Sequence, residues 1–340
     1  MSEFLRACRR ESTAFTPIWL MRQAGRYQPE YRALRERYGF VEMCKHPEVA
    51  AEVTLLPVTQ LGVDAAIIFA DILLILEPLG IGFQFTKDDG PRIDKPIRTS
   101  QDIDAVASQI DVQASLGYVL QAIRNTRSAL PAQVPLIGFA GAPFTLASYV
   151  IEGGGSRDYM HTKALMFSDA GAWNTLMEKL TRAVASYLNA QVKAGAQALQ
   201  VFDSWVGCLS PSDYQSYVQP HMQKLFRALD PSVPVIHFGT GNSALYPLMK
   251  AAGGQVIGLD FRCDLGTTWD ALGEIPVMGN LDPYSLLAPL EQLQKRAQRV
   301  LDAAGGRAGH IFNLGHGVFP EASVAQVRAL VDYVHEASAR

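Results

Sequence analysis

The sequence predicts an α/β fold, a single-domain (β/α)8 TIM barrel with an inserted hairpin and extra helices, and three observations carry that expectation. Eight short apolar, β-branched runs recur along the 340 residues. They are near-continuous rather than alternating, as expected for strands of a parallel sheet covered on its outer face. Amphipathic segments with helix punctuation separate them, and strand–helix alternation of that kind argues for a barrel. A doubly wound open sheet is the rival, but it would show a Gly-rich turn after its first strand, and none is present.

The runs are Pro17–Met21, Ala65–Ala70, Pro135–Ala140, Ala198–Phe202, Val233–Phe238, Val256–Leu259, Ile275–Gly279 and His310–Leu314. Pro29 opens and Gly39 closes the first helical segment between them; Pro47 opens and Gly62 closes the next. Ser212–Leu229 and Ser285–Ala304 read as helices in the same way. The long gaps after the second and third runs leave room for a hairpin over Gly80–Ile97 and for extra helices around Tyr159–Leu188. With no Pro/Ser/Gly-rich linker, residues 1–340 read as one domain, and residues 1–12 are expected to be a flexible N-terminus.

Composition narrows the function classes. Thirty Lys and Arg against 33 Asp and Glu give a net charge of −3, so no global field draws the chain to nucleic acid or an anionic membrane. Any anion must be bound locally. The four cysteines, Cys8, Cys44, Cys208 and Cys263, form no CxxC pair, which fits reduced thiols better than a disulfide framework or zinc knuckle. Residues 1–15 lack the apolar core of a signal peptide. The most apolar stretch, Ala65–Phe85, is interrupted by Asp71, Glu77 and Pro78. A cytoplasmic location is therefore expected.

Polar residues at the ends of the runs mark the candidate site, because barrel strand ends share one face. Arg22, Arg26, Arg32, Arg35 and Arg37 stand against only Glu30 and Glu36, a local excess of positive charge. Guanidinium forks pair with carboxylates and stay charged when partly desolvated, so a polyanionic ligand is implied. Arg32 and Arg37 also read as a solvated helix face. Arg22 and Arg26 precede that helix and flank Ala24-Gly25, where a ligand can approach the backbone. In IIFADILL, Asp71 is a carboxylate among apolar residues, costly unless paired or hydrogen-bonded. It is either an acceptor for cationic or N–H-rich ligand groups or a helix N-cap. Gly138–Tyr149 suits a tight turn opening a helix, with Thr145 or Ser148 exposed near its start. Asp203-Ser204 offers a carboxylate and a hydroxyl, or a cap. Gly315-His316-Gly317 holds an imidazole in a loop.

On these residues the chain resembles the uroporphyrinogen decarboxylase family. Pro17–Tyr31 (PIWLMRQAGRYQPEY) matches the family's N-terminal signature, Gly138–Tyr149 with the following Glu-Gly-Gly matches its second, and IIFADIL and FNLGHG match two more. The resemblance implies a (β/α)8 homodimer. It also implies conversion of the four acetates of uroporphyrinogen III to methyls, giving coproporphyrinogen III and four CO2 in haem biosynthesis, without a cofactor or metal. Carried over by motif, Arg22, Gln23, Ala24, Gly25 and Arg26 bind substrate. Asp71 lies beneath the macrocycle accepting its pyrrole N–H groups, Tyr149, Ser204 and His316 complete the pocket, and Arg35 meets a carboxylate. The catalytic roles fall to Asp71 and Arg22.

Two rivals accompany this reading. A cobamide methyltransferase of the same fold places zinc on a His-x-Cys motif with a later Cys; here the stretch is His237-Phe238-Gly239 and Cys263 stands alone. A non-catalytic tetrapyrrole-binding protein would keep the arginines but need not keep Asp71.

Overall fold

The computed structural model describes residues 2–86 and 90–340. Seven parallel strands, β1 (Ala66–Ile67), β4 (Leu136–Gly141), β5 (Ala198–Asp203), β6 (Val235–Gly239), β7 (Val256–Gly258), β8 (Val277–Met278) and β9 (His310–Ile311), pair in that order. Between β1 and β4 in the chain, β2 (Phe83–Thr86) and β3 (Gly90–Ile93) form an antiparallel ribbon. It lies within the expected hairpin, of which residues 87–89 fall outside the described residues.

Side-chain alternation explains why the sheet curls. Residues two apart, such as Leu199 and Val201 on β5, face the surrounding helices. Ala198 and Phe202 face inward, where they meet Ile137, Ile236, Phe238, Val256, Met278 and Ile311 in one cluster. One face of a seven-stranded sheet converges on a single core only if the sheet is curved around it. The segment expected as the first strand, Pro17–Met21, makes an isolated parallel bridge between Ile18 and Phe312 rather than a strand. Its backbone also accepts a hydrogen bond at Ile18 from Asp64 N (2.8 Å), on the way into β1.

The segment expected to be a flexible N-terminus, residues 1–12, contains a short helix among its described residues. Glu3–Cys8 is a helix, with the Ser2 side chain capping Leu5 N. Its Phe4, Ala7 and Cys8 are buried in the inward cluster, so apolar burial holds the segment in place. Helices opened by proline fall as expected at Pro29–Arg37 and Pro47–Leu61. Ser212–Leu229 is less regular than expected: a π-helical turn, Tyr214–Val218, precedes the helix Gln219–Ala228. The extra helices are Met160–Ser168 and the 25-residue Ala170–Ala194.

Strand β1 stops early for a reason that builds the site. Ile68 N still bonds Ile137 O, but Phe69 N donates to Thr54 Oγ1 of the helix Pro47–Leu61. The chain therefore leaves the sheet at Phe69 and carries Asp71 past the strand ends. On β4, Phe139 lies in register with Gln200 of β5 but beyond the end of β1, and its N and O are both bonded to the buried amide of Gln191 from the long helix. No helix is long and apolar enough to cross a membrane among the described residues.

Candidate active site

The strand-end face gathers groups from five loops. Met21-Arg22 turns through a left-handed backbone at Arg22 (φ 59°), a conformation that costs a non-glycine residue energy and so marks a held position. Arg32 pins the same loop by donating from Nη1 to the carbonyls of Arg26 (2.9 Å) and Tyr27 (3.2 Å). Arg32 is thus a brace rather than a purely solvated residue. Arg22 and Arg26 remain exposed, without an ion pair among the described residues.

The side chain of Gln23, expected as part of the substrate loop, is turned inward. It is 1% exposed, its Oε1 accepts from Leu20 N, its Nε2 donates to Ala65 O, and its carbonyl accepts from Tyr27 Oη. Every polar group of the side chain holds the loop to the sheet. Gly25 N likewise donates to Gln28 Oε1, and Ala24 packs partly against the cluster of Tyr31, Leu34, Met43 and Val53. Arg35 is half-buried, with Nη1 on the Tyr38 carbonyl and its guanidinium 5.8 Å from the Phe40 ring centre.

Asp71 sits half-buried with Oδ1 accepting from Leu73 N at 2.8 Å. This bond closes a local turn ahead of the short helix Leu74–Leu79, whose N-cap is Leu73, so Asp71 is not a helix N-cap. Loss of solvation pushes the carboxyl from 3.8 up to about 6; the Leu73 N–H and the positive charge of Arg22 act the other way. No cation forms an ion pair with it among the described residues, so its charge is available to a ligand.

Tyr149 emerges from the helix Pro143–Glu152 with its ring 3.8 Å, centre to centre, from Trp205. Desolvation, and then the charge of Asp71, raise its phenol to about 12, while Arg22 opposes them. The charge of Arg22 is therefore felt at both Asp71 and Tyr149. Thr145 and Ser148, of which one or the other was expected to be exposed, are both fully buried. Thr145 Oγ1 donates to Asp203 Oδ1 and accepts from Trp205 N. Asp203 is 0% exposed, and its carboxylate supports the turn rather than meeting a ligand. Ser204 follows it half-buried, with its carbonyl held by Thr240 Oγ1.

His316 lies exposed at the mouth on a loop whose two glycines are dictated by contact. A Cβ on Gly315 would stand 2.0 Å from Phe261 N and 2.5 Å from its Cα. On Gly317 it would stand 2.6 Å from Arg22 Cδ and 3.2 Å from Arg22 Cβ. Although the ring is open to solvent on one side, desolvation by the surrounding loops lowers the imidazole's affinity for a proton, and Arg22 adds to the effect. The neutral form is favoured. Gly317→Ala should push Arg22 out of place and raise KM about tenfold, measured against the unaltered chain; an unchanged KM would remove Arg22's present position from the account.

The loop after β7 was not legible as part of the site. Asp260, 1% exposed, accepts from Gly241 N, Arg262 N and Arg262 Nη1, while its carbonyl accepts from Asn280 Nδ2. It ties together the loops after β6, β7 and β8. The signal that could find it is the one used at Asp71, a carboxylate directly after an apolar run, here Val256–Leu259.

The zinc reading fails in detail. His237 faces Asp203 (3.7 Å) and the Phe226 ring beneath the helices, whereas Cys263 contacts Tyr246, Asp260 and Asn280. They share no partner. No group of three or more His, Cys, Asp or Glu is placed to hold a metal ion among the described residues.

A curled parallel sheet whose strand ends carry unpaired arginines around a desolvated carboxylate defines an enzyme class: an α/β, TIM-barrel-like enzyme for a polyanionic substrate. The family profile described as "Uroporphyrinogen decarboxylase" matches residues 1–337. The chain belongs to the uroporphyrinogen decarboxylase family. The uroporphyrinogen decarboxylase of Carboxydothermus hydrogenoformans is 54% identical over 337 residues, covering 98% of this chain and 96% of that one. That of Sorangium cellulosum is 55% identical over 334 residues, covering 98% and 95%. Among solved structures, a methyltransferase from Methanosarcina mazei superposes with a TM-score of 0.81 at 20% identity, covering 98% of this chain and 97% of that one. That likeness shows the shared fold.

Proposed function

We propose that the protein decarboxylates the four acetate side chains of uroporphyrinogen III to give coproporphyrinogen III and four CO2, without a cofactor. The observation that carries the reading is Asp71, an unpaired, desolvated carboxylate within electrostatic reach of Arg22 and Tyr149. Eight substrate carboxylates explain the arginines; four inward pyrrole N–H groups explain the acceptor. Arg22, Arg26 and Arg35 take carboxylates, the backbone around Ala24 and Gly25 permits close approach, and Tyr149, Ser204 and His316 line the pocket. Gln23 serves by fixing that loop.

Loss of CO2 requires a place for two electrons, and here the substrate provides it. Protonating a pyrrole α-carbon beside the acetate-bearing carbon creates an iminium-like cation. The bond to the carboxylate breaks, its electron pair neutralises the cation, CO2 leaves, a proton added to the exocyclic carbon yields the methyl, and loss of the proton first added to the α-carbon restores the pyrrole. Ionised Asp71, with Oδ2 free of protein donors among the described residues, stabilises the cation, an effect commonly worth about 3–4 kcal/mol. Arg22 positions the proton source, a substrate carboxyl or water.

Three finer features belong to the same reading. Pro17–Met21 acts as an eighth strand: the bridge from Ile18 to Phe312 and the bond from Asp64 to Ile18 support closure into a single-domain (β/α)8 barrel. The enzyme is cytoplasmic. It works as a homodimer, for which exposed Tyr284 (63%), Leu287 (61%) and Leu290 (45%) supply apolar surface; sedimentation should give twice the chain mass of 37.1 kDa.

Anaerobic incubation with uroporphyrinogen, followed by separation of products by carboxyl number, tests the reading. Hepta- to tetracarboxylates are expected; unchanged octacarboxylate would refute it. Because Asp71 must be ionised, kcat/KM should fall about tenfold per pH unit below about pH 6. A profile flat to pH 4.5, roughly the range of an unperturbed carboxyl, would remove Asp71 from the rate-determining charge.

A further inference from the structure

The loop after β7 presents a cation that the proposed chemistry leaves unused. Arg262 donates from Nη1 to Asp260 Oδ2 at 2.6 Å, and its guanidinium lies 4.2 Å from the Phe261 ring centre. One edge and one face are thereby fixed, yet the side chain stays 58% exposed while that of Asp260 is 2% exposed. Nε and Nη2 have no protein partner among the described residues. The negative charge of Asp260 does not cancel the outer edge, since it is also shared with Gly241 N and Arg262 N. A guanidinium anchored this way has lost its rotamer freedom before a ligand arrives, so binding an anion costs less.

Its place is fixed by two contacts independent of charge. Gly315 packs directly on the Phe261 backbone, and Gly317 packs on the Arg22 side chain. His316 is therefore flanked by the Arg22 loop on one side and the Phe261-Arg262 loop on the other. Arg22 and Arg262 both disfavour protonation of that imidazole.

Resting on the decarboxylase reading, we propose that Arg262 is a substrate-binding residue that takes a peripheral carboxylate of the octacarboxylate macrocycle across His316 from Arg22. Asp260 is its positioning residue. Cations then meet the substrate rim from two sides rather than only from the Arg22–Arg35 segment, which fixes the macrocycle's orientation over Asp71.

Arg262→Gln, Arg262→Ala and Arg262→Lys are compared with the unaltered chain for kcat, KM, Tm and equilibrium binding of uroporphyrin, the oxidised octacarboxylate. Loss of a charge-assisted pair should raise KM and Kd roughly 10- to 100-fold in the Gln and Ala variants. kcat should stay within about threefold, Tm should hold, and Lys should recover part of the affinity. Unchanged KM and Kd in folded Arg262→Gln protein overturn the proposal. Equal losses in the Gln and Lys variants, with a matching fall in Tm, also overturn it, since a loop brace alone behaves that way. If the unaltered chain releases no decarboxylated product, the decarboxylase reading fails by itself; the uroporphyrin titrations then still decide whether Arg262 binds the octacarboxylate.

Discussion

Asp71→Asn is expected to lower kcat about 100- to 1,000-fold while KM changes by only a few fold. Asparagine can still accept a pyrrole N–H through its carbonyl, so ground-state binding survives. It carries no charge, so the cation formed on protonation loses its counterpart. Equal losses in kcat/KM and affinity would instead make Asp71 a simple binding residue. The same substitution should stabilise the fold. Asp71's folded-state value, about 6, lies above its ordinary 3.8, so the native state holds its proton more tightly than the unfolded chain does. Stability from this group is fully present below about pH 4 and is lost as pH rises through about 6. The cost at pH 8 is at most about 3 kcal/mol. Asparagine removes that cost, so the variant's gain in unfolding free energy should be largest at pH 8 and vanish below pH 4. A variant equally or less stable at pH 8 would show that the carboxyl is not desolvated.

Gly315→Ala is expected to destabilise the protein by about 2–4 kcal/mol and to abolish most activity. The new Cβ would overlap the backbone of Phe261, which cannot swing aside as a side-chain tip can. The loops after β7 and β9 would have to separate, carrying Arg262 away from His316 and releasing the Asp260 junction. Denaturant unfolding with an unchanged m-value and a lower midpoint should report it. Wild-type stability in Gly315→Ala would mean that the loops are not packed as described.

How much of this was legible in the sequence depended on whether a feature is local. Seven of the eight apolar runs fall on strands because continuous β-branched burial is a property of each segment alone. Pro17–Met21 was recognised as extended, but its single bridge to Phe312 depends on a partner nearly 300 residues away. The end of β1 was placed three residues late, since the competitor for Phe69 N is Thr54 from the preceding helix. Asp71 was found because an apolar surround makes a carboxylate conspicuous. Asp260 has the same surround and was passed over, its importance lying in bonds to other loops. Asp203 stayed open between ligand group and cap, and Gln23 entered with its motif, because polar side chains beside a site look alike in sequence; the structure shows their side chains occupied by Leu20, Ala65 and Thr145. The helix Glu3–Cys8 was missed for the converse reason: its apolar face is only three residues, and their burial needs the open end of the curled sheet.

The central claim is that the substrate supplies its own electron sink while the protein supplies fixed charges. Turnover of uroporphyrinogen in D2O by chelator-treated protein tests it most directly. The account predicts an undiminished rate and one deuterium in each of the four new methyl groups of the tetracarboxylate product. Loss of turnover on chelation with recovery on adding zinc, or methyl groups without solvent deuterium, would contradict it.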